Sequence, residues 1–226
     1  MTTPTETAPA RPAAAPRWTE LLAATADDCL AVLREEAGRD WSRPAHGLDW
    51  TCRQTLDHLA LGLVGYAGLL IARPVDRYVT LFASLDPHAA VPDCLDGLRI
   101  ASSLLVSTVR DTAADVRAWH PWGHSDAVGF AAMGITELAV HTYDVTRALG
   151  VPRTPPDRTS AAVLARLFPE APTGHRPSAT LLWCTGRAPL PGLPRRTDWR
   201  WDGTVRTTQD PARRRGPETE PQAGSA

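Results

Sequence analysis

The sequence lacks the features that mark several large classes of protein. It contains no lysine, and its 24 basic residues are balanced by 25 acidic ones, so it has no excess positive charge of the kind that binds nucleic acid. No continuous apolar run reaches the roughly 18–20 residues of a membrane span. These absences argue against a nucleic-acid-binding protein and against a membrane protein.

Cysteine is scarce, and its four copies lack a metal-binding spacing. Cys29, Cys52, Cys94 and Cys184 are scattered, with no CxxC pair among them. The spacing argues against a zinc cluster built from cysteines and fits a chain kept reduced in the cytoplasm. Cys52 and Cys94 fall in predicted helices, where we expect them to be small apolar core residues.

Both ends of the chain are predicted to be disordered. Residues 1–16, "MTTPTETAPARPAAAP", have no early basic residue and no continuous apolar block, so we expect a leader rather than a secretory signal. Residues 207–226 carry an arginine run at 213–215 among proline and polar residues, which is typical of a solvated tail. The remaining residues 17–206 are enough for one ordinary domain with a real core.

Helical patterns dominate residues 17–150. Four helices are predicted over about 17–37, 51–72, 93–119 and 126–149. The second has a capping box at Thr51 and Gln54, and Ser125 or Asp126 can cap the fourth.

Residues 151–206 differ in texture and are expected to form a small appendage. They contain a short helical pattern, "RTSAAVLARLF", and an apolar run, "SATLLWCTGR". Near their end, Trp199 and Trp201 alternate in "TDWRWDG", which indicates either an edge strand or a packed turn.

The connections suggest how the four helices are arranged. Roughly 18 residues separate the second and third helices, and the other connections are predicted to have about a dozen or fewer. A long second connection is typical of a four-helix bundle in up-down-down-up order, in which the second and fourth helices are antiparallel. A simple up-down-up-down bundle with a flexible loop remains an alternative.

The fourth helix carries polar residues where a helix is otherwise apolar. In "GFAAMGITELAVHTYDVTRALG", residues 129–150, Glu137, His141 and Asp144 fall on one face at about 100° per residue. A buried carboxylate or imidazole costs several kcal/mol unless it is paired or bound to a metal ion. The stretch therefore predicts a partner elsewhere in the chain.

His58 is the best candidate for that partner. It lies about 10 Å along the second helix from Thr51, and His141 lies about 12 Å from the end of the fourth helix. In antiparallel helices with level ends the two imidazoles reach the same depth, and Gly62 and Gly65 leave room beside His58. We expect the two depths to agree to about one helical turn.

Together, His58, Glu137 and His141 form a ligand set suited to zinc or another first-row divalent ion. Three protein ligands leave one tetrahedral position open, as in catalytic sites. Asp144 can accept the second ring N–H of His141 and fix its tautomer, whereas Asp57 points elsewhere and is given no role. Two further histidines, His120 and His124, are expected in a loop outside the site.

Two motifs resemble a known family. The stretches "DWTCRQTLDHLA" and "ITELAVHTYDVTRALG" are similar to the paired signatures of the mycothiol-dependent maleylpyruvate isomerase family, within the DinB-like superfamily of metal-binding four-helix bundles. The resemblance covers about residues 17–150. It implies an all-α DinB-like bundle with His58, Glu137 and His141 as ligands, usually of zinc, and mycothiol as thiol cosubstrate.

The resemblance also implies a chemistry. Members of the family use the metal to hold a low-molecular-weight thiol as thiolate, so the protein itself supplies no nucleophile. The isomerase carries a larger C-terminal domain with a basic group for the substrate's carboxylates, and residues 151–206 stand in its place here. Arg187 is the one candidate for that basic group.

The sequence therefore predicts a cytoplasmic, metal- and thiol-dependent enzyme acting on a small electrophile, either a thiol S-transferase or a cis–trans isomerase. A non-catalytic metal-binding bundle and a hydrolase using zinc-activated water are the alternatives.

Overall fold

A computed structural model describes residues 17–80 and 83–206, and the predicted leader and tail lie outside these ranges. Within them the chain forms six α-helices and no strand. The helices are α1 (Trp18–Glu35), α2 (Cys52–Ala72), α3 (Val91–Asp111), α4 (Ala127–Ala148), α5 (Asp157–Leu167) and α6 (Pro177–Cys184). The prediction of an all-α protein is confirmed.

Local sequence signals fix the starts of the two site-bearing helices. The Thr51 hydroxyl accepts a hydrogen bond from the Gln54 N–H, and the Gln54 side chain accepts one from the Thr51 N–H. The carboxylate of Asp126 accepts from the Gly129 N–H at 2.8 Å and caps α4. Both caps satisfy backbone donors that a helix start leaves without partners, as the sequence predicts.

The third helix is shorter than predicted. It ends at Asp111 rather than near Trp119, because residues 112–126 form a loop. Ala118 and Ser125 pair their backbones in this loop, and the Trp119 N–H donates to the Pro74 carbonyl at 2.9 Å. Val116 lies in this loop and is buried. Its side chain therefore continues the apolar spacing of α3, although the residue is not part of the helix.

The predicted contrast in connection length is wrong. Residues 73–90 do form the longest connection between the four long helices, but residues 36–51 and 112–126 are nearly as long. Each of these loops runs over a helix end and is held there by backbone hydrogen bonds, which the sequence pattern does not reveal. Loop length alone is therefore weak support for the helix order.

Contacts at the helix ends show that α2 and α4 are antiparallel, as predicted. The N–H of His46, just before α2, donates to the carbonyl of Asp144 near the end of α4, at 3.0 Å. At the opposite end, Trp119 precedes α4 and bonds to Pro74, which follows α2. The start of each helix thus lies beside the end of the other.

The directions of α1 and α3 follow in the same way. An ion pair of 3.1 Å joins Arg34, near the end of α1, to Asp96, near the start of α3. At the other ends of these helices, Leu22 and Leu105 both lie close to Gly134 of α4. Helices α1 and α3 are therefore antiparallel.

The most buried of these helices is α4. From Gly129 to Thr146 every residue is buried except Glu137, which is partly buried. The helix contacts α1, α2, α3 and α5. This central position explains its apolar sequence and makes each polar side chain on it an exception.

The C-terminal residues pack on the bundle as a small appendage. Helix α5 contacts α4 and α6, and the Gly203 N–H donates to the carbonyl of Trp122 at 2.7 Å. Trp201 is 5% exposed, and residues 199–206 form neither a strand nor a turn, so the edge strand is wrong and the segment is packed irregular chain.

Helix α2 is long and apolar enough to cross a membrane by length and composition alone. Its most apolar 18-residue window has a mean hydropathy of 1.5, and 44% of that window is buried inside the protein. Core helices of soluble proteins share these properties, so the feature is weak evidence for a span and is consistent with a soluble protein.

Candidate metal centre

Three predicted ligands meet between α2 and α4. The Nε2 of His141 lies 3.1 Å from Oε2 of Glu137, and the Nε2 of His58 lies 3.6 Å from the same oxygen. The two imidazole rings are 5.1 Å apart and nearly perpendicular. The spacing of i and i+4 on α4 and the matched depth of His58 on α2 produce this convergence.

The donor set fits a divalent metal ion. One nitrogen from each imidazole and one carboxylate oxygen all lie within 4.8 Å of one another, so a single ion can reach all three. Two imidazoles and a carboxylate suit zinc and other first-row divalent ions. The residues therefore form a candidate three-ligand metal centre.

Behind His141 lies a buried network of charges. Its Nδ1 donates to Oδ2 of Asp144 at 3.1 Å, as predicted, and Asp144 is 0% exposed. The Arg187 guanidinium donates to the same carboxylate, with Nη2 at 3.0 Å from Oδ2. The Asp144 carboxylate thus fixes the ring of His141, and Arg187 balances its charge.

This network gives Arg187 a place different from the one predicted for it. Its side chain is 9% exposed and lies against the Trp199 ring at 5.3 Å, and its Nη1 donates to the Thr185 carbonyl. These contacts hold the guanidinium against Asp144 on the far side of His141. The position favours a role in supporting the ligand over one in contacting a substrate.

Opposite charges shift the protonation of the ligands. Burial lowers the pKa of His141, but the carboxylates of Asp144 and Glu137 outweigh it and raise that pKa to about 9. Burial raises the pKa of Glu137, but the imidazoles of His141 and His58 outweigh it and hold it well below the usual range. The site therefore keeps an ionised carboxylate in a buried position.

Tyr66 is a site residue that the sequence analysis did not identify. Its hydroxyl donates to Oε1 of Glu137 at 3.2 Å, which leaves Oε2 facing the two histidines. Burial and the charge of Glu137 raise the pKa of Tyr66 well above its ordinary value, so the phenol stays a donor. Tyr66 lies two turns beyond His58 on α2, and this helical spacing could have indicated from the sequence that it belongs to the site.

The solvent side of the centre is formed by α2 and the residue before its cap. His58 is 39% exposed at its side chain, and its ring lies 4.7 Å from that of Trp50, which is itself 42% exposed. A Cβ added at Gly62 or Gly65 would meet nothing within 4 Å, so the space predicted beside His58 is present. The centre is open on this side.

The residues predicted to lie outside the site are outside it. His120 and His124 are in the loop of residues 112–126, and the Asp57 carboxylate accepts from the Leu85 N–H. The four cysteines are buried and unpaired with one another. Burial raises the pKa of Cys29 and of Cys184 to about 11, so these thiols stay protonated.

Comparison with known proteins identifies no relative. No family model, no curated protein and no solved structure matches this chain.

Proposed function

We propose that the chain is a cytoplasmic metal- and thiol-dependent enzyme, a thiol S-transferase or cis–trans isomerase that acts on a small electrophile with mycothiol as cosubstrate. The observation that carries the proposal is the convergence of His58, Glu137 and His141 on one point that is open on the side of Gly62 and Gly65. Three protein ligands with an open side are the pattern of a catalytic zinc centre.

The proposal includes the DinB-like four-helix fold and membership of the maleylpyruvate isomerase-like family. The antiparallel α2 and α4, with a histidine on one and a Glu-x-x-x-His-x-x-Asp motif on the other, support it. The buried free cysteines support a reducing compartment.

The chain's own residues divide the work of the site. His58, Glu137 and His141 would hold the ion, Tyr66 orients Glu137, and Asp144 orients His141. When bound, a divalent ion would act as a Lewis acid that lowers the pKa of a thiol or of water. No described protein group at the open side supplies a nucleophile, which fits a nucleophile brought by the cosubstrate.

The open side also bears on the substrate. Arg187 is held by Asp144, and the exposed residue beside His58 is the aromatic Trp50. This surface suits a substrate with an apolar or aromatic portion better than the dicarboxylate that maleylpyruvate isomerisation requires. We therefore expect turnover with uncharged electrophiles.

Metal analysis of the purified full-length protein tests the site. We expect about one divalent ion per chain, lost in His58→Ala and in His141→Ala, because each variant removes one of only three ligands. His88→Ala, at an exposed histidine on the connection between α2 and α3, is the matched control and should keep the metal. Normal metal content in both site variants would reject the centre.

An activity assay tests the chemistry. Mycothiol and a panel of electrophiles should give turnover that requires both the metal and the thiol. Activity without any thiol would instead indicate the hydrolase alternative, which the same open three-ligand set favours. Metal binding without turnover across the panel would favour the non-catalytic bundle.

A further inference from the structure

Cationic side chains gather where the end of α4 meets the loop before α2 and the segment after α6. Arg147 of α4 and His46 of the loop both lie against the ring of Tyr143, the guanidinium carbon at 5.8 Å and the imidazole centroid at 6.1 Å from its centroid. Arg195 reaches the next residue of the loop, where a Cβ added at Gly47 would be only 3.2 Å from its Nη2. We call His46, Tyr143, Arg147 and Arg195 the basic cluster.

The basic cluster carries positive charge that the protein does not neutralise. Within residues 17–80 and 83–206, Arg147 and Arg195 donate to neutral oxygens and to no carboxylate. Nη1 of Arg147 donates to the Tyr143 hydroxyl at 3.1 Å, and Nε of Arg195 donates to a backbone carbonyl. The neighbouring carboxylate of Asp144 is already paired with Arg187 at 3.0 Å. Two guanidinium charges are therefore left for an external anion.

The imidazole of His46 responds to this charge. Burial lowers its pKa, and the positive charges of Arg147 and two other arginines lower it further, against the opposite effect of Asp144. The positive field thus reaches a point between the two free guanidiniums and the loop. A negative charge bound there would be stabilised by the same field.

The basic cluster also has hydrogen-bond donors to spare. Arg147 and Arg195 are exposed, and each is anchored to the protein through one nitrogen, which leaves the other two nitrogens of each guanidinium to donate. Tyr143 is only 6% exposed, and its oxygen accepts from Arg147, so its own hydroxyl hydrogen can still be donated. Anchored side chains lose less freedom on binding, and a surplus of donors suits a ligand that consists mainly of acceptors.

The basic cluster is separate from the metal centre. Tyr143 and Arg147 lie about 100–140° around α4 from the middle of Glu137 and His141, and Arg147 is about 9 Å further along the helix than His141. The pair of Asp144 and Arg187 bonds to His141 on the ligand side of α4 and belongs to the centre itself. An anion at the basic cluster would therefore bind outside the proposed reaction site.

From these observations we propose that the basic cluster is a binding site for a small oxyanion, a phosphate or carboxylate group, held by Arg147, Arg195 and the Tyr143 hydroxyl. The planar fork of a guanidinium matches two oxygens of either group, and hydrogen bonds between charged partners are about twice as strong as neutral ones. The proposal does not depend on the enzyme function.

Titration of the full-length protein with inorganic phosphate and with acetate, followed by NMR at constant ionic strength, tests the site. We expect saturable shifts confined to the basic cluster and Gly47. Tighter binding of phosphate supports a phosphate-bearing ligand, and tighter binding of acetate supports a carboxylate. Absence of saturable shifts with both anions, or shifts centred on His58 and Glu137 instead, would overturn the proposal.

Variants test the donors. Arg147→Gln and Arg195→Gln should each weaken the better anion about 10- to 100-fold, because each removes a charge-assisted hydrogen bond. Tyr143→Phe should weaken it about three- to tenfold, since one neutral donor is lost. Arg158→Gln, at an exposed arginine near the start of α5, removes the same net charge elsewhere and should leave the affinity unchanged. Equal weakening by Arg158→Gln, or no weakening by either cluster arginine variant, would show that only the overall charge of the protein attracts the anion.

Discussion

At the scale of single residues, the two carboxylates in the middle of α4 are stabilised because each has a partner from a different part of the chain. Glu137 meets Tyr66 and His58 of α2, and Asp144 meets Arg187 from the segment after α6. A buried carboxylate without such partners would lose its hydration without compensation. The metal centre therefore depends on long-range packing as much as on its own helix.

Arg187→Met should be strongly destabilising. It leaves the carboxylate of Asp144, which is 0% exposed, without its counter-charge, and breaking a buried ion pair costs about 3–5 kcal/mol. Metal affinity should also fall about 10–100-fold, because Asp144 orients His141. Chemical denaturation and metal titration measure the two effects.

Arg34→Met is the control for this change. Arg34 pairs with Asp96 on the surface at 3.1 Å, close to the 3.0 Å of the Arg187–Asp144 pair, but both of its side chains are about half exposed, so its loss should cost less than about 1 kcal/mol. Adding Asp144→Asn to Arg187→Met should recover part of the stability, since the isolated charge is removed. Equal effects of Arg187→Met and Arg34→Met would contradict the buried network.

At the scale of helices and loops, the capping signals were reliable, and apolar periodicity was a poor guide to where a helix ends. The capping box of Thr51 and Gln54 fixed the start of α2 because all of its groups lie within four residues. The predicted end of α3 was wrong because Val116, which continues the apolar spacing of the helix, lies in a loop that folds back at Ala118 and Ser125. Periodicity records burial, and it does not distinguish a helix from a loop packed on the core.

Gly123→Ala should detach the appendage from the loop of residues 112–126. Gly123 has a φ of +114°, and a Cβ there would lie 2.7 Å from the backbone nitrogen of Thr204. Both the backbone strain and the clash should destabilise the variant. We therefore expect its free energy of unfolding to fall by roughly 1–3 kcal/mol more than that of Gly174→Ala. Thermal or chemical denaturation measures the difference.

Gly174 is the matched control for backbone strain. Its φ is +82°, but a Cβ there would meet nothing within 4 Å, so alanine should cost only about 1–2 kcal/mol. If the two variants lose the same stability, close packing of Gly123 against Thr204 does not contribute.

At the scale of the whole molecule, the ligand set could be predicted and its surroundings could not. His58, Glu137 and His141 were found because depth along antiparallel helices is simple arithmetic on a regular element. Trp50 and Arg187 reach the site from irregular segments, and no periodicity predicts where such residues lie. The role of Arg187 therefore required the structure.

His120, in the loop of residues 112–126, lies where several parts of the molecule meet. Its ring packs against Tyr66 of α2, Phe130 of α4 and Trp201 of the appendage, and its Nδ1 accepts from the Trp122 N–H. Burial lowers the pKa of His120 from 6.5 to about 4, although the charge of Glu137 raises it. The folded protein thus holds this imidazole neutral.

The lowered pKa predicts a dependence of global stability on pH. The unfolded chain binds a proton at His120 as the pH falls below 6.5, and the folded protein does not bind it until about pH 4. Stability from this group is therefore present above pH 6.5 and is lost as the pH falls toward 4, by up to about 3 kcal/mol.

The variant His120→Asn tests this dependence, because its side-chain carbonyl can still accept from the Trp122 N–H. Its free energy of unfolding should fall less steeply with decreasing pH than that of the wild type. Denaturation from pH 7.5 to 4.5 with a metal chelator present measures it, with exposed His88→Asn as the control. Parallel curves for wild type and His120→Asn would show that the ring is protonated in the fold, contrary to its burial among these aromatic side chains.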